Sequence, residues 1–479
     1  MTVDLHEVAT RRLGSTQTGG RPLPAWIPLP ALALILVSVV VLGRQPLSDP
    51  DTWWHLRAGN YLLQSGHFTG PEPWSSFSSR LWVLHEWLPE VVMSRFAATF
   101  GLAGVSWVFC LGLVLVTVSL FVAARREAGP LAATAATAIG LIGMSASLSP
   151  RPQIVSFALL TLYTAAWLAT ARDLRPRWWM VPVTWLWASS HGMWFTGVLV
   201  GTAVIVGLAL EHRVNVRQAF RLALVPVGCM VAAALTPVGP QLLISPLSVR
   251  GYAQFVAEWV APVITDPAPM ATLTMALVVA ITWVRSARPT PWHQIAVLVV
   301  ALGWTLLYGR TVAVGAAMTA PLFAGCLQVL LKQSRPHFAR AERIFVFGVA
   351  ALCMVVAAIV PGPSAPSAAA FPSALNGKLS QLPSGTVMLD AYFLGGWLLW
   401  QHPNLDLVID GRTEVYAVSY VEDYMGALRA DRGWDEFVRS SGAKVALVET
   451  GSPLATALQQ RLSWRSDGSD AGYTLLRAP

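Results

Sequence analysis

The strongest constraint on the fold is the repetition of long apolar stretches along the chain. Most are roughly 18–24 residues long, which is enough to cross a hydrocarbon core about 30 Å thick. The eleven predicted stretches are 26–43, 101–124, 130–148, 152–170, 178–190, 192–210, 219–236, 268–284, 292–308, 311–331 and 344–361. Only 12% of the residues are charged, roughly half the fraction in soluble domains. The sequence therefore predicts an α-helical polytopic membrane protein.

The loops between these stretches predict the orientation in the membrane. With the polar segment 1–25 as a cytoplasmic tail, the cytoplasmic loops contain 17 Lys and Arg residues and the opposite loops before residue 362 contain 7. Cytoplasmic loops of membrane proteins are enriched in these residues. We therefore predict a multi-pass plasma-membrane protein with a cytoplasmic N-terminus and, after an odd number of spans, an extracytoplasmic C-terminus. No cleavage site follows the first apolar stretch, which should remain an anchor.

The chain divides by composition into a membrane module and an outer domain. We assign 26–361 to the membrane module, with 44–100 as its first external loop and an amphipathic surface helix over 81–100. A Pro/Ser/Ala-rich linker covers 362–375. Residues 376–479 have ordinary charge and predict a small extracytoplasmic α/β domain. Its strands are predicted at 386–391, 406–410 and 444–449, and its helices near 394–401, 417–428, 433–440 and 453–462.

The densest group of functional side chains follows the first apolar stretch. The segment from Asp49 to Arg57 contains two carboxylates, two indoles, an imidazole (His55) and a guanidinium. Such groups are costly next to lipid, so we expect them in a polar cavity at the interface. The alternative is an interfacial aromatic belt, because tryptophan is enriched there.

Other unusual polar residues fall on the same predicted side of the membrane. They are His85, Glu86, Glu90, Arg151, His191, Glu258 and Arg310. Each one alone has a simpler explanation, such as a helix-end hydrogen bond for His191 or an interface anchor for Arg310. Together they indicate a site, because carboxylates suit a hard divalent cation and arginines grip a phosphate through two hydrogen bonds.

The remaining features exclude some classes of protein. The net charge of +8 is dispersed among short loops, so the sequence predicts no nucleic-acid partner. The four cysteines all fall in apolar stretches and indicate neither a disulfide framework nor a metal site. In the outer domain, Asp410 and Arg412 follow a predicted strand, where binding groups are common. A tight turn with a local Asp–Arg pair is the alternative there.

The segment Asp51-Thr52-Trp53-Trp54-His55-Leu56-Arg57 resembles the first-external-loop motif of oligosaccharyltransferase catalytic subunits. With a second acid near the end of the loop, Glu86, and a surface helix, the layout resembles the GT-C glycosyltransferase superfamily. That superfamily includes protein O-mannosyltransferases and the aminoarabinose transferase that acts on lipid A. The motifs DPDTWWHLRxG, HEWL, RPQ and IDGR also resemble a group of bacterial membrane proteins. The chain departs from the oligosaccharyltransferases because its outer domain has no WWDxG motif.

The resemblance implies a bacterial cell-envelope enzyme that moves a sugar from a polyprenyl-phosphate donor to a glycan, lipid or protein acceptor, outside the membrane and with inversion. It implies that Asp51 is the base or a metal ligand, Asp49 its neighbour and Glu86 the second acid. Asp51 and Glu86 would then hold a divalent metal, Mg or Mn, if one is used. We assign substrate binding to His55, Arg57, His85, Arg151, His191, Glu258, Arg310, Asp410 and Arg412, with Arg151 and Arg310 on the phosphate.

Two other functions stay open from the sequence. A transporter or lipid flippase would need charged or broken helices in the middle of the membrane. A non-catalytic scaffold would bind a partner through the outer domain. The geometry of the first loop separates these from the enzyme: a cavity open to both lipid and water at Asp51 and Glu86 favours the enzyme, and separate exposure of the two acids to bulk water excludes it.

Overall fold

Two layers make up the structure: a bundle of apolar helices and an α/β unit placed on one end of it. The computed structural model describes residues 27–244, 249–252, 254–255, 257–287, 289–332 and 337–479. The predicted tail 1–25 lies outside these residues. The helices up to the linker are α1 Pro28–Gly43, α2 Asp51–Ser65, α3 Trp87–Arg125, α4 Pro130–Met144, α5 Gln153–Asp173, α6 Met180–Ala188, α7 Phe195–Leu210, α8 Val216–Ala234, α9 Pro267–Val284, α10 Trp292–Leu307, α11 Val312–Leu330 and α12 Arg340–Ile359.

Each of the eleven predicted apolar stretches contains a helix, which confirms the polytopic helical fold. In the described part of the chain, eight helices, counted with adjoining 3-10 turns, are long and apolar enough to cross a membrane, and α1 and α10 are shorter apolar helices. The fifth stretch forms only the nine residues of α6. At 1.5 Å per residue, α6 is about 14 Å long and reaches through about half of a bilayer core.

The segment 44–100, predicted as the first external loop, differs from its prediction in two places. Helix α2 was not predicted, and its N-terminal residue is Asp51. The helix predicted over 81–100 begins only at Trp87, because Leu81–Val83 forms strand β2, paired antiparallel with β1, Thr69–Pro71. Gly101, with φ 61°, breaks helical geometry inside α3 and separates residues 87–100 from the predicted second span.

The α/β unit, which we call the outer unit, is built on a mixed five-stranded sheet. Its strands are β3 Val387–Asp390, β4 Asp406–Leu407, β5 Val445–Glu449, β6 Arg465–Asp470 and β7 Tyr473–Arg477, in the order β4-β3-β5-β7-β6. The strand β3 runs parallel to β4 and β5, and β7 runs antiparallel to β5 and β6. The helices are α13 Asn376–Ser380, α14 Gly395–Gln401, α15 Val418–Leu428, α16 Trp434–Ser441 and α17 Pro453–Arg461.

The outer unit lies directly on the start of α2. A Cβ atom added to Gly396 would lie 2.3 Å from the carbonyl oxygen of Pro50, so the two backbones approach as closely as glycine allows. Arg57 donates a hydrogen bond of 2.6 Å to the carbonyl of Leu399. These contacts place α14 of the α/β unit against Pro50 and the first turns of α2.

Candidate functional site

Arg151 joins three carboxylates at the end of the bundle beneath the outer unit. Its Nε lies 2.8 and 2.7 Å from the two oxygens of Asp49. Its terminal nitrogen Nη1 lies 2.8 Å from Asp51 Oδ2 and 3.0 Å from Glu258 Oε1. We call Asp49, Asp51, Arg151 and Glu258 the arginine cluster. It contains two more negative than positive groups, and the neighbouring carboxylates Asp49 and Glu258 favour protonation of Asp51.

Local structure holds Asp49 and Arg151 in place. Asp49 accepts hydrogen bonds from the backbone N–H groups of Asp51 and Thr52, so it caps the start of α2 and fixes its own orientation. Arg151 lies between two prolines, which restrict its backbone, and Thr52 donates a hydrogen bond to the carbonyl of Pro150. The start of α2 and the turn that contains Arg151 are therefore joined by a hydrogen bond to the backbone as well as by charge.

Asp51 combines access with an altered acidity. Burial raises the pKa of Asp51 above its ordinary value of 3.8, although the positive charge of Arg151 opposes the shift. Its side chain keeps 22% of its surface exposed. A carboxylate with a raised pKa is a better proton acceptor near neutral pH than an ordinary one. Asp51 therefore has the properties of a general base.

A second group of charges surrounds Glu86, the acid of the HEWL motif. Glu86 Oε1 lies 3.5 Å from His85 Nε2 and 3.3 Å from His191 Nε2, and its Oε2 lies 3.7 Å from His55 Nε2. The other ring nitrogen of His55 lies 2.9 Å from Glu90 Oε1. We call His55, His85, Glu86, Glu90 and His191 the histidine cluster. It gathers residues from α2, the start of α3 and the turn before α7.

The histidine cluster favours an ionised Glu86. Burial opposes the ionisation of Glu86, but His191, His85 and His55 outweigh it and hold its pKa below the ordinary value. Burial would also lower the pKa of His85, but the hydrogen bond and the charge of Glu86 raise it to about 9. Burial lowers the pKa of His191 to about 4, although the charge of Glu86 opposes this shift. His191 Nδ1 lies 2.9 Å from Ser156 Oγ.

Arg310 differs from Arg151 because it pairs with no carboxylate in the described part of the chain. Its guanidinium lies 5.0 Å from the ring of Trp259 and donates a long hydrogen bond of 3.4 Å to Gln153. Its Nε is buried and makes no hydrogen bond. Arg310 lines a cavity of about 410 Å³ together with Glu258, Asp266, Ser145, Ser147 and several proline and apolar side chains. An unpaired guanidinium in such a cavity can bind an anion.

The predicted outer-domain residues lie in a buried polar core. Arg412 donates two hydrogen bonds to Asp410, of 2.9 and 2.6 Å, and also pairs with Glu72 at 2.8 Å. Both Asp410 and Arg412 are fully buried, which fits the alternative of a local Asp–Arg pair. Gly411 between them reaches the site instead: a Cβ added there would lie 2.6 Å from Asp51 Oδ1.

Asp51 and Glu86, expected from the resemblance to hold a metal together, lie in two different clusters. Arg151 pairs with Asp51, and three histidines surround Glu86. Within the described residues, the group whose ligand atoms all lie within 4.8 Å of one another is His55, Glu86 and Glu90. The arrangement therefore does not fit a single ion shared by Asp51 and Glu86.

Sequence reasoning grouped Glu90 with the polar residues on this side but assigned it no role, and it left out Glu72 and Ser156. Glu90 follows Glu86 by four positions, a spacing that places both on one face of a helix and could have identified it. Glu72 and Ser156 have no such signal, because their partners Arg412 and His191 are distant in sequence.

No protein-family model and no curated protein matches the sequence. Solved structures do match. The oligosaccharyltransferase AglB from Archaeoglobus fulgidus, in complex with an inhibitory peptide and a dolichol-phosphate, is 13% identical with a TM-score of 0.61, and the match covers 88% of this chain and 69% of that one. ArnT from Cupriavidus metallidurans, bound to undecaprenyl phosphate, is 13% identical with a TM-score of 0.52, over 94% of this chain and 97% of that one. At this identity, the matches show that the chain has the fold of GT-C membrane glycosyltransferases.

Proposed function

We propose that this chain, which has a GT-C fold, is a membrane glycosyltransferase that takes its sugar from a polyprenyl-phosphate donor. The single observation that supports this most is the juxtaposition of a base and an anion site. Glu258 belongs to the arginine cluster of Asp51 and also lines the cavity of Arg310. The matched AglB and ArnT structures contain dolichol-phosphate and undecaprenyl phosphate, which supports a lipid-linked phosphate as the ligand of Arg310 here.

In the proposed reaction, Asp51 acts on the acceptor hydroxyl. Its carboxylate accepts the proton as the acceptor oxygen bonds to the anomeric carbon of the sugar. The bond between that carbon and the phosphate oxygen breaks on the opposite face, which inverts the configuration. The electron pair stays on the departing polyprenyl phosphate, whose negative charge the Arg310 guanidinium stabilises.

The other predicted residues then have supporting roles. Asp49 and Arg151 hold Asp51 in position, and Glu258 fixes the orientation of Arg151 towards the cavity. His55 belongs to the histidine cluster and follows Asp51 by one turn of α2. We therefore place the histidine cluster beneath the catalytic residue. Arg57, Asp410 and Arg412 fix the outer unit over the site. Because these residues pair with one another or with the outer unit, we assign them to positioning the site.

We also propose the domain boundaries and the orientation of the chain in the membrane. Residues 376–479 form the extracytoplasmic domain, joined to the membrane module 26–361 by the linker 362–375. The site faces the outside of the plasma membrane, where lipid-linked donor and a glycan, lipid or protein acceptor meet. The 17-to-7 distribution of basic residues supports this orientation.

Sugar release from a panel of polyprenyl-phosphate sugars by the purified full-length protein tests the function. We expect time-dependent appearance of free polyprenyl phosphate for one or more sugars of the panel, with faster release when an acceptor is present. A flippase or a scaffold would leave every donor intact. Intact donors throughout the panel, with a folded protein that binds polyprenyl phosphate, would contradict the proposal.

A further inference from the structure

The carboxylates around Arg151 have the composition of a divalent-cation site. Asp49 and Asp51 belong to one segment and Glu258 lies more than 200 positions further along the chain, yet the three carboxylates converge on one point. Oxygen ligands from carboxylates are what Mg²⁺ and Mn²⁺ bind. The point of convergence is occupied by the guanidinium of the chain's own Arg151.

The hydrogen bonds of Arg151 use the oxygens that an ion would need. Nε contacts both oxygens of Asp49, and Nη1 contacts one oxygen each of Asp51 and Glu258, all at 2.7 to 3.0 Å. A guanidinium remains charged at any pH that a protein experiences and matches carboxylates through a rigid array of donors. A divalent ion would have to displace these hydrogen bonds and give up part of its hydration shell.

Arg151 is also held so that it cannot easily leave. The flanking Pro150 and Pro152 restrict the backbone, and the side chain is only 13% exposed. The hydrogen bond from Thr52 to the carbonyl of Pro150 ties this turn to α2. The positive charge is therefore a fixed part of the site.

We propose that Arg151 replaces a divalent cation at Asp49, Asp51 and Glu258, so that the site of Asp51 works without a metal, and that removing Arg151 uncovers a cation site there. Catalysis without a metal rests on the proposed function, whereas cation binding depends only on the carboxylates and the guanidinium. Arg151 is thus a positioning and charge-balancing residue for Asp51.

Mn²⁺ titration of the purified full-length protein, followed by the electron paramagnetic resonance signal of free Mn²⁺, tests this. We expect that the unmodified protein binds no Mn²⁺ at Asp51, so Asp51→Asn should not reduce the amount of Mn²⁺ that it binds. Arg151→Ala should gain one bound Mn²⁺ per chain, and the double variant Arg151→Ala with Asp51→Asn should lose it. Arg151→Lys keeps a cation among the carboxylates and is the matched control, which should gain none.

Two outcomes would overturn the proposal. One is Mn²⁺ binding by the unmodified protein that is lost in the Asp51→Asn variant, because the ion would then occupy the site beside Arg151. This comparison does not depend on the folding of any arginine variant. The other is a folded Arg151→Ala protein, or Arg151→Gln if the alanine variant does not fold, that gains no Mn²⁺. Binding that survives Asp51→Asn and is lost on His55→Ala belongs to the histidine cluster and is subtracted as background. The titration reads binding alone, so a failure of the proposed transferase activity would leave its result unchanged.

Discussion

Asp51 experiences two opposing effects on its charge, and their balance gives a pH dependence. Burial and the neighbouring Asp49 and Glu258 raise its pKa, and Arg151 lowers it, with a net rise above the ordinary value of 3.8. The base must be ionised to accept a proton. Activity should therefore be present above the raised pKa and lost as the pH falls through it.

We expect kcat/KM for the donor to fall about tenfold for each pH unit on the acidic side of this raised pKa. The measurement is a pH–rate profile of donor turnover, made over the range where circular dichroism shows the protein folded. The expected acidic limb lies above pH 3.8, the ordinary pKa of an aspartate. A rate that stays constant from neutral pH down to that value would remove Asp51 as the base.

The role of Arg310 can be tested separately, because its guanidinium lacks a carboxylate partner in the described part of the chain. Arg310→Lys keeps the charge and loses the fork that can bind two phosphate oxygens. We expect kcat/KM for the lipid-linked donor to fall about 10- to 100-fold, the size of a lost hydrogen bond to a charged group. The assay is steady-state donor turnover.

Arg465→Lys, an exposed change at the edge of the outer sheet, is the matched control and should leave turnover unaltered. An anchor to lipid headgroups would tolerate lysine, so equal donor kinetics for Arg310→Lys and the unmodified protein would assign Arg310 to that simpler role.

At the scale of the elements, the site depends on the close packing of α2 against α3. A Cβ atom added to Gly59 would lie 2.1 Å from the carbonyl oxygen of Glu90, which is backbone and cannot rotate away. This contact places His55 beside Glu90 and sets the direction of the turn that carries Asp51. A side chain at position 59 would push the two helices apart.

Gly59→Ala should therefore destabilise the protein by about 1–3 kcal/mol, the usual cost of overpacking. The measurement is thermal unfolding in detergent, where we expect a lower midpoint temperature than in the unmodified protein. Gly303→Ala, also within a helix but with open space around the added atom, is the control and should be neutral or slightly stabilising. Equal midpoints for both variants would show that α2 and α3 can move apart at little cost.

The elements also show what the sequence could predict. The apolar stretches were recognisable because a lipid-facing helix must be apolar along its length, and most outer-domain elements were placed within a residue or two. Helix α2 was missed because its residues mix charges with indoles and lack a continuous apolar run. The pair Asp49–Arg151 spans 102 positions, and nothing in the neighbouring sequence of either residue indicates the other.

At the scale of the whole molecule, charged groups concentrate at the two ends of the bundle. One end holds the arginine and histidine clusters beneath the outer unit. At the other end, Arg125 pairs with Glu342 and Arg172 with Glu127. This distribution, with the outer unit at one end, makes the direction of insertion decisive for function, because lipid-linked donor and acceptor must meet on the side of Asp51.

We expect the end that holds the outer unit to face away from the cytoplasm. Alkaline phosphatase fused after residue 479 should be active and green fluorescent protein fused there should be dark, because each reports on its own compartment. Fusions in the loop between α5 and α6 should give the opposite pattern and serve as the internal control. A fluorescent C-terminal fusion with inactive phosphatase would invert the proposed topology.

We propose that Asp51 accepts the proton of the acceptor during sugar transfer from a polyprenyl-phosphate donor. The most direct test is single-turnover release of polyprenyl phosphate by the unmodified protein and by Asp51→Asn, in the same detergent, at matched concentration and with equal thermal stability. The amide keeps the shape of the side chain and loses the charge, so we expect release to slow by about 100- to 10,000-fold. Near-normal release by a folded Asp51→Asn protein would contradict this account.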